Sequence, residues 1–281
     1  DFCLSRGLGD VYKRQVPTPG DGEVRLRVNY VGICGSDLHY YFHGANGEYT
    51  IQEPLTPGHE LSGVVDLDPS GRLAPGTPVT VHPARYGPEV PGLEDRPHLR
   101  PGGDYFGSAA ANPHRQGGAS ELLIVEEQMI RVLPASLPLE RAALAEPLAV
   151  AIHAVNLAGD IAGKRVLVIG AGPIGLLVVA AAVNAGASVV GASDVREEPL
   201  ERAKNLGTTE VSLVGRDTID NESYDVVFEC SGVGVALTQA VRAARRAGTI
   251  VQVGMLPNAD IGVNLACLLY TSPSPRDRQK S

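Results

Sequence analysis

Lys164-Arg-Val-Leu-Val-Ile-Gly170-Ala-Gly172-Pro173-Ile174-Gly175 decides the fold. A buried strand runs into a glycine turn, and the apolar residues after it predict a helix over 173–184. The G-x-G-x-x-G pattern alone is weak. Here it stands between strand and helix, and Asp194 falls 19 residues past Gly175, at the end of a strand predicted over 188–193. That context reads as a dinucleotide-binding turn rather than a bare βα turn. Gly170 permits the tight turn, Gly172 admits a pyrophosphate to the backbone, and Gly175 lets the helix pack on the strand. Pro173 and Ile174 open a helix whose N-terminus supplies donors and dipole. Asp194 is placed to accept the adenosine ribose hydroxyls and to repel a 2′-phosphate, which favours NAD over NADP. Arg196, two residues on, works against that preference.

Downstream the alternation continues, with helices predicted over 198–206 and 235–244 and strands over 224–228 and 249–253. This predicts an α/β, doubly wound parallel sheet of the Rossmann kind. Val166, Val189, Val211, Val226 and Val251 mark five strands, where the fold class has about six. The expectation is a C-terminally truncated sheet with an exposed apolar edge, poorly soluble and inactive as written. Cys230-Ser231-Gly232 follows a strand end, where such sheets bind ligands, although Cys230 reads most simply as a small buried residue.

Upstream, Gly32-Ile-Cys34-Gly-Ser36-Asp-Leu-His39-Tyr40 is answered by Pro57-Gly-His59-Glu60. A soft thiolate, an imidazole and a carboxylate form the kind of set that a catalytic zinc uses, with a position left for water or substrate. Ser36 and His39 are placed to carry a proton away from whatever such a metal activates. Alone, a cysteine near a strand end reads as a buried thiol; the second motif and the glycine turn reverse that reading. Residues 23–31 alternate as a half-buried strand, and further strands are predicted over 61–67, 78–81, 121–125 and 129–133. With glycine and proline between them, these make residues 16–146 a compact β domain, and residues 147–266 the dinucleotide-binding domain. A short helix over 36–42, capped by Ser36 or Asp37, is expected after the first strand. Residues 85–103 form a Pro- and Gly-rich excursion without cysteine, and His82, His98 and His114 read as scattered surface histidines.

Both ends look foreign. Asp10-Val-Tyr-Lys-Arg-Gln15 back-translates to GAT GTG TAT AAG AGA CAG, whose reverse complement, one base along, encodes Cys-Leu-Leu-Tyr-Thr-Ser, the sequence of Cys267 to Ser272. One DNA segment read from both strands therefore generates both ends, and it resembles a transposase-end sequencing adapter. Residues 1–15 and 267–281 are set aside as adapter-derived, the alternative being disordered tails.

Composition bounds the rest. Of 281 residues, 43% are hydrophobic and 5% aromatic, which is ordinary globular usage. The net charge of −8 argues against a nucleic-acid surface, and residues 166–183, the longest apolar candidate for a membrane span, are interrupted by Gly170, Gly172, Pro173 and Gly175. Between the foreign ends only Cys34 and Cys230 remain, which is no disulfide framework and points to a reducing, cytoplasmic compartment.

Taken together, 31–40, Gly58-His59-Glu60, Leu144-Ala-Glu146-Pro-Leu-Ala149 and Gly170–Gly175 resemble the zinc-dependent medium-chain alcohol/polyol dehydrogenases. Within that family, 105–109, 113–118 and 251–257 look most like the branch acting on L-idonate, with the sorbitol branch close behind. The resemblance implies a GroES-like β domain beside a Rossmann domain, and one catalytic zinc with Cys34, His59 and Glu60 in its motif. Glu146 matches the acidic residue that ligates the metal or its water, Ser36 and His39 the proton relay, and Tyr40 a substrate contact. The implied partner is a small polyol or sugar acid; homo-oligomers are common in the family and leave a second copy of the chain open as another. Two departures stand out. Tyr86, Glu89, Gly92 and Arg100 occupy the spacing of the family's four structural-zinc cysteines, so no structural zinc is expected. Pro199 stands where an arginine often follows the ribose carboxylate. A zinc-free quinone or enone reductase and a non-catalytic nucleotide-binding module are the alternatives, separable by metal content and by turnover.

Overall fold

The computed structural model describes residues 16–257 and 259–263. The expectations for residues 1–15 and 267–281 lie outside the described residues. The chain divides into two compact units, one ending at Glu146 and the other beginning at Pro147.

The first unit is built on an antiparallel sheet of β1 (Glu23–Val31), β2 (Leu61–Leu67), β3 (Pro78–Val81), β4 (Leu122–Glu126) and β5 (Ile130–Val132), in the order β4-β1-β2-β3-β5. Val24, Leu26, Leu61, Val65, Val79, Val81, Leu123 and Val125 point to one side, where they close around Phe106 and Met129. Each buried side chain of this size contributes about 1.5–3 kcal/mol. The last two strands differ in their bounds from expectation: β4 starts one residue later, and Met129 belongs to a single turn, Glu127–Met129, that feeds β5. The alternation of β1 lapses after Val28, where its pairing with β2 shifts register before Tyr30. A bulge there re-aims the strand end that leads to Cys34. The helix after it, α1, covers Gly35–His43.

Residues 85–103, expected as a free excursion, are closed at their base. Ala84–Arg85 pairs with Asp104–Tyr105, and the Arg100 side chain donates to the carbonyls of Leu93 and Glu94 at 3.4 and 3.1 Å. An arginine at one of the four expected cysteine positions thus ties the loop from inside. Its contact with Glu89, at another, is 4.0 Å to a largely exposed carboxylate and adds little. His114 corrects the surface reading: it is buried, with Nε2 accepting from the Gln52 amide at 2.9 Å.

A helix that sequence reading did not separate, α2 (Ala145–Leu157), crosses the division. Beyond it lie β6 (Arg165–Ile169), α3 (Pro173–Asn184), β7 (Val189–Asp194), α4 (Glu197–Asn205), β8 (Glu210–Leu213), β9 (Tyr224–Glu229), α5 (Gly234–Ala243) and β10 (Ala244–Gln252). The sheet order is β8-β7-β6-β9-β10, all parallel. Its two faces are covered separately. Val166, Val168, Val190, Ala192, Val226 and Phe228 pack with Val178, Val179 and Ala182 of α3 and Leu200 and Ala203 of α4. Leu167, Ile169 and Val227 pack with Ala236, Ala240 and Ala243 of α5. A strand buried on both faces reads as one apolar run, as residues 166–169 do. The last strand departs most from expectation: it begins at Ala244 and passes through a positive φ of 57° at Ala247 before straightening into the predicted segment. Among the described residues no helix is long and apolar enough to cross a membrane.

Candidate active site

The first unit gathers its polar residues where the β1–β2 ladder ends. Val31 pairs with Leu61, and one step further the Gly32 amide donates to the Glu60 carbonyl at 2.6 Å. Antiparallel register therefore brings Cys34, just past β1, against His59 and Glu60, just before β2. Gly32 is required for that approach, because a Cβ there would lie 2.1 Å from Glu60 Oε2 and 2.9 Å from its Cβ. One ligand atom each from Cys34, His59 and Glu60 lies within 4.8 Å of the others. His59 and Glu60 are buried, and His59 Nδ1 has no hydrogen-bond partner.

Asp37 locks this arrangement. Cys34 occupies the N-cap position of α1, and Asp37 in the first turn reaches back to accept the Cys34 amide at 2.9 Å, so the cap is neither Ser36 nor Asp37. Its other oxygen accepts the Gly58 amide at 3.2 Å, fastening the second motif to the first. Ser36 and His39 are three apart on α1 and share a face, the serine half-buried and the histidine exposed. Tyr40 turns inward to Leu55 and Ala109, and its hydroxyl accepts the Ala109 amide at 3.1 Å. Glu146, in the first turn of α2, accepts the Tyr105 hydroxyl at 2.5 Å; the same tyrosine ring meets the His59 ring edge-on at 5.4 Å.

The electrostatics follow from this crowding. Burial alone lowers the His59 pKa, but the adjoining Cys34 sulfur, Asp37 and Glu146 carry it above the ordinary histidine value. Burial, then Glu146, raises Glu60 against the opposing effects of His59 and Cys34. Burial and Glu146 raise Tyr105 far above the usual phenol range. A thiol, an unpartnered buried imidazole nitrogen and a carboxylate around one point, with two more carboxylates at hand, fit a divalent cation of zinc type.

The second unit offers a different site. Gly170 turns the chain at φ 90°, and a Cβ on Gly175 would lie 1.8 Å from the Gly170 carbonyl oxygen. Gly172 is the N-cap of α3 and faces open space on its Cβ side. Asp194, the last residue of β7, accepts the amides of Ala171 at 2.9 Å and Arg196 at 3.0 Å, so the ribose candidate also fixes the turn. Beside the turn, fully buried Glu229 accepts the amides of Ser231 and Gly232, the Ser231 hydroxyl and the Gln252 side-chain amide. Cys230 is half-buried; burial and Glu229 push its thiol up to about 12.

Sequence reading gave Tyr105 no role beyond its place in the stretch 105–109, passed over Glu229, and gave Asp37 only a capping role. A carboxylate closing the apolar run 226–228 was a usable signal for Glu229. The Tyr105–Glu146 contact spans 41 residues and leaves no local mark.

An antiparallel β unit carrying a cation site, joined to a parallel sheet carrying a dinucleotide turn, defines the class of metal-assisted nicotinamide oxidoreductases. Two family models match, the alcohol dehydrogenase GroES-like domain over residues 20–135 and the zinc-binding dehydrogenase domain over residues 173–275. Sorbitol dehydrogenase 1 of Saccharomyces cerevisiae is 37% identical over 273 residues, 89% of this chain and 75% of that protein. L-idonate 5-dehydrogenase (NAD(P)(+)) of Escherichia coli is 37% identical over 236 residues, 82% of this chain and 69% of that protein. The crystal structure of an Escherichia coli L-idonate 5-dehydrogenase superposes with a TM-score of 0.84 at 33% identity, covering 88% of this chain and 73% of that one. A zinc-binding dehydrogenase from Sinorhizobium meliloti bound to NADP gives 0.81 at 30% identity, covering 91% and 76%. The chain belongs to the zinc-dependent medium-chain alcohol/polyol dehydrogenase family.

Proposed function

We propose that this protein oxidises a secondary alcohol of a polyol or aldonate of the L-idonate kind, with NAD as hydride acceptor and one catalytic zinc per chain. The observation that carries the reading is the Cys34–His59–Glu60 set, with its unpartnered His59 Nδ1, in a chain that also holds the Gly170–Gly175 turn. Cys34, His59 and Glu60 would hold the zinc, which would supply Lewis acidity toward a bound hydroxyl, and a nicotinamide dinucleotide held at the Gly170–Gly175 turn would supply the hydride acceptor.

The chain's own groups supply the rest. Ser36 takes the hydroxyl proton and passes it to His39, whose exposed ring returns it to solvent. Glu146 accepts from a second substrate hydroxyl, while Tyr40 offers its phenol proton. In the second unit the amides of Ile174 and Gly175, at the first turn of α3, receive the pyrophosphate beside Gly172 and Pro173. Asp194 keeps lone pairs for the ribose hydroxyls while holding the turn. Two unpaired cysteines among the described residues support a reducing, cytoplasmic setting. The substrate is a small molecule.

The test is the native protein, assayed for NADH formation over polyols and aldonates alongside metal analysis. The expected result is turnover on this class with one zinc per chain, lost in Cys34→Ala. Two zinc ions per chain, none, or no turnover on any alcohol would refute it.

A further inference from the structure

We infer that Tyr105 is a positioning residue that holds Glu146 out of the Cys34–His59–Glu60 set and so reserves the remaining coordination position for substrate. The inference rests on the metal site proposed above. Glu146 is close enough for its charge to act on both His59 and Glu60, yet it lies outside the group whose ligand atoms approach within 4.8 Å. One atom accounts for that separation: the Tyr105 hydroxyl donates to Glu146 Oε1 at 2.5 Å, in the short range of hydrogen bonds to ionised acceptors.

The tyrosine is itself firmly held. It sits in the two-residue ladder Ala84–Arg85 with Asp104–Tyr105, and the Arg85–Asp104 ion pair clasps that ladder. Its ring meets His59 edge-on, so one side chain registers the carboxylate against a metal-binding imidazole. Glu146 stands in the first turn of α2 on a flexible side chain. Without the phenol, Oε1 loses this hydrogen bond, and a carboxylate near a divalent cation is drawn in as a further oxygen ligand.

The test uses the full chain, stripped of metal and titrated with Co(II), following the thiolate-to-cobalt charge-transfer band and the d–d bands. Tyr105→Phe keeps the ring against His59 and removes only the donor. It is expected to bind Co(II) about tenfold more tightly or better, the scale of one hydrogen bond to a charged acceptor, with shifted d–d bands. Adding Glu146→Gln to that variant should restore the wild-type spectrum and affinity. Glu146→Gln alone should leave the spectrum unchanged, and this variant tests the idea even if Tyr105→Phe folds poorly. Identical cobalt binding by wild type and Tyr105→Phe would overturn the inference, as would a spectrum altered by Glu146→Gln alone. A wild-type protein without the charge-transfer band, or one that keeps it in Cys34→Ser, would instead overturn the metal site on which the inference rests.

Discussion

Asp37→Ala should loosen the first unit and leave the second intact. The buried Asp37 carboxylate accepts two backbone amides, Cys34 at 2.9 Å and Gly58 at 3.2 Å, one from each half of the metal motif. Hydrogen bonds to a charged acceptor contribute about 1.5–3 kcal/mol each, so the pair amounts to roughly 3–6 kcal/mol. Against a typical domain stability of about 5–15 kcal/mol, a loss near 4 kcal/mol is a large fraction. Urea unfolding followed by tyrosine fluorescence suits the test, because the chain has no tryptophan. Tyr30, Tyr40, Tyr41, Tyr49, Tyr86 and Tyr105 lie in the first unit and only Tyr224 lies among the described residues of the second. With a slope of about 2 kcal/mol per molar urea, the first transition should move down by roughly 2 M. Asp37→Asn, which keeps one acceptor but turns an NH₂ toward the other donor, should fall between. A midpoint within about 0.3 M of wild type for the alanine variant, on the same slope, would show that the two amides find other partners and that Asp37 does not hold the motifs together.

Three further outcomes follow from the second unit. Gly175→Ala drives a Cβ to 1.8 Å from the Gly170 carbonyl oxygen, a backbone atom that cannot step aside, so quenching of NADH fluorescence should be lost; retained binding within about threefold would contradict the packing. Asp194→Ala should narrow the gap in nucleotide affinity between NAD and NADP and lower affinity for both, since the same carboxylate fixes Ala171; a wild type that prefers NADP would refute the ribose assignment. Burial and Glu229 push the Cys230 thiol up to about 12. A thiol is protonated below its pKa, so at pH 8 about one molecule in ten thousand carries the thiolate, rising tenfold per pH unit. Peptide mapping after iodoacetamide at pH 8 should find Cys230 unmodified, and labelling at the rate of a free cysteine would be the contrary result.

Much of this architecture can be read from short-range pattern. The helix at 173–184 and the central strands β6, β7 and β9 follow from their apolar residues, because a strand buried on both faces and a helix packed on it leave little choice of residue. What escaped notice depends on contacts distant in sequence. The start of the last strand at Ala244 follows from pairing with Tyr224, not from the residues 244–248 themselves, which include two arginines and a glycine. The closure of 85–103 depends on Arg100 reaching carbonyls six and seven residues back, a task its charge does not announce. In the same way, Cys34, His59 and Glu60 are recognisable by type, whereas the groups that hold or crowd them, Asp37 and Tyr105, are ordinary residues until the fold brings them together.

The two units prepare opposite charges by different means. In the first, negative potential is concentrated by side chains: it raises His59 despite burial and adds to the desolvation that raises Glu60, so both shifts report one field. Under the zinc reading proposed above, a divalent cation would answer that field and reverse both preferences, favouring the neutral imidazole and the ionised carboxylate as ligands. In the second, the backbone does the work. Gly172 opens space at a helix N-terminus, and the nearby carboxylates are already committed to amides, Asp194 to Ala171 and Arg196, Glu229 to Ser231 and Gly232. Binding their charge in this way leaves the first-turn donors of α3 less opposed for a phosphate. Side chains suit the cation because a metal needs few ligands of chosen softness. Backbone amides suit the phosphates because a diphosphate needs several donors at close range, and glycine lets them come close.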